Sequence, residues 1–278
     1  MVDIVYNIFE DDFVRSQTHQ YNLSVLLGAD RLSYLVTNAE NKVLGLRSYK
    51  FAGLLHPIEH LLKEDVIFNS SYGTTKVGVF SRDFTLVPTA LYEADTQKAY
   101  LQTLVQLSDQ AEVLVDDWSA VAAKYIYATS SGLMSEIQTA FPQATVFHQS
   151  TGLVANFSTN FDKTTSNIFL SVQDHTVNIT VLDKGELIFH NIFAFKASAD
   201  CLYFVLLVYQ QLGLQPTKNP LYVVGELVED SEIHQLLYKY IKTIKFVGFP
   251  NFYTFGNNIK QELPPNFFFD LYSLKLCE

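Results

Sequence analysis

The chain has 278 residues, 48% of them hydrophobic and only 17% charged, below the roughly 25% usual in soluble proteins, so much of its surface is uncharged or covered by a partner. Its formal net charge of −10 is spread over both halves, about −7 for residues 1–150 and −3 for the rest, with no basic stripe. That excludes phosphate-backbone binding, and the length suffices for two compact domains.

The first residues, Met1 to Asp12, carry acids where an export signal needs a basic start and a long apolar run. Leu23 to Gly28 then leads through Ala29-Asp30-Arg31 into Leu32 to Thr37, and a polar turn at Asn38 to Lys42 opens Val43 to Tyr49. This is a three-stranded meander. Pro57 to Lys63 predicts a short helix and Thr74 to Ser81 a strand. A helix is expected over 95–107, capped by Asp95, followed by strands at 112–115 and 123–128. The acids Asp116 and Asp117, directly after a strand, are expected in a solvated turn rather than as an acid/base pair. Ser130-Ser131-Gly132 predicts a helix N-cap for 132–141, stopped by Pro142, and a short strand at 146–149 follows. Ser158 to Ser166, polar and aperiodic, is the expected crossing between domains.

The second half repeats the meander with Asn167 to Val172, Gln173-Asp174-His175, Thr176 to Leu182, the turn Asp183 to Glu186, and Leu187 to Phe193. A long helix over 198–212 ends at Gly213. The run Leu221 to Gly225 has the form of a buried parallel strand, a helix starts at Asp230-Ser231, and a strand follows at 244–249. The tail is too apolar to dangle and is expected to dock on a domain, with Phe267, Phe269, Leu271 and Leu274 including buried members of the second domain's core. No run reaches the roughly 20 apolar residues that a transmembrane helix needs. With only Cys201 and Cys277 present, a reduced cytoplasmic protein without a disulfide framework is expected. The four Asn-x-Ser/Thr triplets then carry no glycosylation. His56 and His60, four apart but separated by Pro57 and lacking a third ligand, do not make a zinc site, and no metal site is expected.

Meander, helix, strand, helix, strand, given twice, resembles the actin, sugar-kinase and heat-shock-chaperone ATPase superfamily. The hairpin from Leu170 through Thr176 to Ile192 is similar to that of the actin-like proteins of type IV pilus and type II secretion assembly. The run Phe84 to Tyr92 and the ending Phe269 to Glu278 resemble an uncharacterised bacterial family with an actin-like ATPase fold, domain of unknown function 3822. The resemblance implies an α/β fold of duplicated actin-like ATPase (ribonuclease H-like) domains, with mixed sheets flanked by helices around a central cleft. The first domain is expected over 1–157 and the second over 158–278.

Active members of that superfamily hold nucleotide phosphates with two Asp-x-Gly hairpins, in which glycine lets backbone amides approach and the Asp organises Mg²⁺ and water. Here Gly28 matches the first glycine, but Leu26 stands at the acid position. In the second hairpin Leu170 and Val172 replace acid and glycine, while Thr176 matches a threonine often found in that turn. Asp30 and Asp174 recover an acid in a shifted register and lose the glycine. The adenosine-side motif keeps one glycine, Gly225, followed by Glu226. The nucleotide-binding set Gly28, Asp30, Asp174, Thr176, Gly225 and Glu226 is therefore expected to be degenerate. No catalytic residue and no cofactor are expected, with ATP and Mg²⁺ the candidates if the cleft works. The expected role is a non-catalytic scaffold or adaptor with a protein partner or a homodimer; the alternative is a nucleotide-binding switch or ATPase.

Overall fold

The computed structural model describes residues 2–51, 53 and 56–277. They divide into two compact units, one formed by the described residues of Met1–Leu153, Asn251–Glu262 and Asp270–Glu278, the other by Val154–Pro250 and Leu263–Phe269.

In the first unit β1 (Val2–Phe9), β2 (Asn22–Leu27), β3 (Arg31–Thr37), β4 (Lys42–Phe51) and β5 (Thr74–Val79) lie in one sheet, with helix α1 (Pro57–Glu64) between the last two strands. A three-stranded antiparallel sheet follows, made of β6 (Phe84–Pro88), β7 (Ala111–Trp118) and β8 (Ala123–Ser130), with helix α2 (Gln97–Gln102) inserted after β6. Helix α3 (Ser131–Ala140) leads to β9 (Thr145–His148), which rejoins the main sheet beside β5. Helix α4 (Gln149–Asn160) carries the chain into the second unit. There β10 (Ser166–Gln173), β11 (Thr176–Asp183) and β12 (Glu186–Ala194) form the second meander, followed by α5 (Ser198–Gln211), β13 (Leu221–Gly225), α6 (Glu232–Tyr238) and β14 (Ile244–Phe246). The chain then returns with β15 (Thr254–Phe255), α7 (Asn257–Glu262) and α8 (Phe269–Ser273).

The two main sheets share one topology. The path β4-β3-β2-β5-β9 matches β12-β11-β10-β13-β14: an antiparallel meander, then two strands parallel to its first strand, reached through helical connections. The first sheet adds β1 antiparallel to β4, and the two-residue β15 pairs with β4 in parallel. Strand β10 is buried at every position but its two ends because both of its faces are covered. Ile168, Leu170 and Val172 join a core with Val205, Val208 and Leu237 of α5 and α6. On the other face Phe169 stacks on Phe157 of α4 at 4.0 Å between ring centroids and meets Tyr222 of β13 at 5.4 Å.

Several expectations need correction. Asp95 does not cap a helix: its φ is +67°, and α2 spans only Gln97–Gln102. Asp230 is left-handed as well, and the cap of α6 is Ser231, whose hydroxyl accepts from His234 N at 3.3 Å. Residues Ser158 to Asn160 belong to α4, where the Ser158 and Thr159 hydroxyls donate back to Ala155 O and so let polar residues sit in a helix. The tail is buried but divided, with Phe267 and Phe269 in the second unit and Leu271 and Leu274 in the first. Leu274 fills the space left by the missing side chain of Gly78, where a Cβ would lie 2.9 Å from its Cδ2.

Candidate functional site

In the first hairpin the amide of Gly28 donates to Arg31 O at 2.8 Å and closes the turn. Leu26 is buried and pairs with Gly78 of β5, where a Cβ would lie 2.9 Å from its Cδ1, so the side chain at the acid position is a packing group. Asp30 accepts Phe51 N through its backbone oxygen and faces Lys50 Nζ at 3.8 Å with its carboxylate, an exposed ion pair of small energetic consequence.

The second hairpin and the end of β13 are equally occupied with their own structure. Leu170 and Val172 are buried in the helix-facing core. Asp174 sits at the turn with φ +47°, and the Thr176 hydroxyl donates to Gln173 O at 3.1 Å. Gly225 has φ +81°, and a Cβ there would stand 2.2 Å from Val172 O. Its amide donates to Asn266 O at 2.8 Å, and the next amide, of Glu226, donates to Val172 O at 2.7 Å. Asn266 Nδ2 in turn donates to Gly225 O and Leu227 O. The glycine thus serves a close backbone approach within the sheet, and the amides at the strand end are engaged.

Asp174 and Glu226 line one cavity of about 700 Å³ in the second unit, with Val172, Phe195 and Leu227 as apolar wall. Glu232 also lines it and accepts from the Ser198 hydroxyl at 2.8 Å. Three carboxylates against Lys196 leave these walls net negative, which opposes a polyphosphate. Thr176 and Gly225 bond elsewhere, and Gly28 and Asp30 belong to the other unit. The residues present do not fit a magnesium nucleotide: the two acid positions are buried leucines.

A buried polar cluster with perturbed titration lies in the first unit, on the pair of acids expected in a solvated turn. Both belong to strand β7. Asp117 is exposed and pairs with Lys124 at 2.8 Å, but Asp116 is only 6% exposed. Its Oδ2 accepts from the backbone N of His148 at 2.7 Å and from the Thr151 hydroxyl, and Tyr127 OH donates to Oδ1 at 3.3 Å. Trp118 Nε1 donates to Thr151 Oγ1 at 2.8 Å. His148 is fully buried; its Nδ1 accepts from Ser150 N, and its Nε2 lies 2.9 Å from Ser81 O and 3.2 Å from Ser81 N. Burial pushes Asp116 up to about 6 against the pull of its three donors, and burial takes His148 down to about 4. Asp116 accepts donors at the joint of β9 and α4, so it pins the three-stranded sheet to the main one. The sequence signal was alternation: Asp116 shares the face of buried Trp118, two residues on. Among the described residues no group of three or more His, Cys, Asp or Glu is placed to hold a metal ion.

Residues 10–244 match the family described as "Protein of unknown function (DUF3822)". The chain belongs to that family. The family's chain here has the actin-like ATPase fold. It is similar, at a TM-score of 0.81 and 20% identity over 96% of this chain and 99% of the other, to a Bacteroides thetaiotaomicron protein with an actin-like ATPase fold and unknown function. It is also similar to a chain of the PilM-PilN type IV pilus biogenesis complex, at a TM-score of 0.63 and 12% identity over 92% and 97% of the two chains. No curated protein matches it.

Proposed function

We propose that this protein is a non-catalytic scaffold or adaptor: an actin-like frame that works through protein contacts in the cytoplasm. The observation that carries the reading is the closure of the strand end, where Gly225 N and Glu226 N donate to Asn266 O and Val172 O rather than facing a ligand. Buried leucines at positions 26 and 170 support it, since neither side chain can hold a metal-bound water. For a partner role the support is surface chemistry. Tyr203 of α5 is 61% exposed, and Tyr238 and Tyr240 at the end of α6 are 68% and 55% exposed, on helices packed against each other. Aromatic side chains of this kind are enriched at binding faces. The similar PilM chain was solved in a complex with a partner protein. No described helix is long and apolar enough to cross a membrane.

The test has two arms. Magnesium ATP, ADP or GTP should leave the melting temperature and the phosphate-release blank unchanged; a ligand at a hundred times its Kd would add about 2.7 kcal/mol. Cross-linking in native cells should trap a partner with the unmodified chain and lose it with Tyr203→Ser and Tyr238→Ser combined. Nucleotide stabilisation, or turnover abolished by Asp174→Ala, would move the protein to the switch or ATPase reading.

A further inference from the structure

At the end of the first sheet opposite the Gly28–Asp30 turn, beside the turn between β3 and β4, lies a second, smaller cavity of about 150 Å³. Its floor follows from register. Asn22 pairs with Thr37 on one side and Thr74 on the other, and Ser24 pairs with Lys76, so these side chains share one face of β2, β3 and β5. Ser24 and Thr37 are buried hydroxyls. Asn22 Oδ1 accepts from Thr74 Oγ1 at 2.6 Å, which leaves its NH₂ as the donating end. The returning chain supplies the cover, Tyr253 and Lys275.

Two ammonium groups meet here in a chain of net charge −10, and among the described residues lining the cavity none is acidic. Lys76 Nζ donates to Lys275 O at 3.1 Å and to Cys277 O, which anchors it. Lys275 Nζ lies 5.0 Å from the centroid of the Tyr253 ring and donates to Phe252 O at 3.4 Å, a long bond for a group with three donors. Burial, and after it the charge of Lys76, hold the Lys275 amine below its ordinary value. Two like charges set beside hydroxyl and amide donors are relieved by an anion. The volume sets its size: small-molecule pockets run from about 300 Å³ upward, so a nucleotide or sugar does not fit, whereas a compact oxyanion does.

We propose that the first unit binds a small dianionic oxyanion, of the phosphate or sulfate class, between Lys76 and Lys275 with Ser24, Thr37 and Asn22 as neutral donors. This site is independent of the adaptor reading and of the degenerate nucleotide elements.

The test uses the full chain and inorganic phosphate, titrated calorimetrically and by thermal unfolding against sodium chloride at matched ionic strength, with sulfate and acetate as further arms. Phosphate and sulfate should bind saturably and raise the unfolding midpoint, acetate should be weaker, and Lys275→Met should lower phosphate affinity at least tenfold. Ser24→Ala, a smaller change, should weaken it severalfold and covers the case in which Lys275→Met does not fold. Midpoints that coincide in phosphate and chloride, or an unchanged titration in the variants, would overturn the site. Equal responses to acetate and phosphate would overturn its assignment to a dianion.

Discussion

Replacing Asp116 by Asn should unmask a pH dependence that the unmodified protein conceals. Burial raises the folded Asp116 from its ordinary 3.8 to about 6, so between those values the native state binds more protons than the unfolded chain, and stability falls as pH rises. At roughly 1.4 kcal/mol per pH unit this amounts to about 3 kcal/mol. Burial lowers the folded His148 from its ordinary 6.5 to about 4, so between those values the unfolded chain binds more protons, and stability grows by about 3 kcal/mol as pH rises. The two windows overlap and the slopes oppose each other. In Asp116→Asn one slope disappears. The amide can still serve the cluster, its oxygen accepting from His148 N and Thr151 and its NH₂ meeting Tyr127 OH, so the variant should fold. Urea unfolding at a series of pH values from 4 to 7 measures the difference, read by the fluorescence of Trp118, the single tryptophan, which donates to Thr151 within the cluster. Variant minus unmodified stability should rise by about 3 kcal/mol from pH 4 to pH 6.5. A difference that stays flat across this range would refute the assignment of a protonated, buried Asp116.

Gly225→Ala should destabilise the chain by about 3 kcal/mol, since a Cβ there meets Val172 O in a left-handed backbone; a neutral denaturation midpoint would return the glycine to a ligand role. Phe269→Ala, which removes a buried ring 6.1 Å from that of Phe157, should cost about 3–5 kcal/mol by the same assay. Burial pushes both Cys201 and Cys277 up to about 12, so a thiol reagent at pH 8 should label neither in the native chain and both in denaturant.

The meanders were legible because hairpins write themselves locally: alternating β-branched and aromatic residues are closed by Asp30-Arg31, Asp174-His175 and Lys184-Gly185. Helix ends were legible where a side chain or glycine acts alone, as at Ser130, which accepts Leu133 N, and at Gly213 with φ +66°. Adjacent acids misled. At 116 and 117 the charge suggested water, but a strand points neighbours to opposite faces, and only one of the two was solvated. The division of the tail was not legible, because the two-residue β15 and the buried Leu274 find partners some 200 positions away. Asp174 and Glu226, far apart in sequence, line one cavity as a result of the β10-β13 pairing, which no local pattern states.

The return of residues 251–262 and 270–277 to the first unit also sets an order of events at the ribosome. Glu10 accepts from the amides of Asn258 and Ile259, and β15 adds to β4, so the first unit stays incomplete until the last tenth of the chain has emerged. The second unit, nearly continuous in sequence from Val154 to Pro250, holds most of its contacts earlier. Domains usually mature in the order of synthesis, and contacts spanning long loops form slowly. Here the unit that comes earlier in sequence closes last, and while some hundred residues are made the edge of β4 that β15 will cover stands open to wrong pairing.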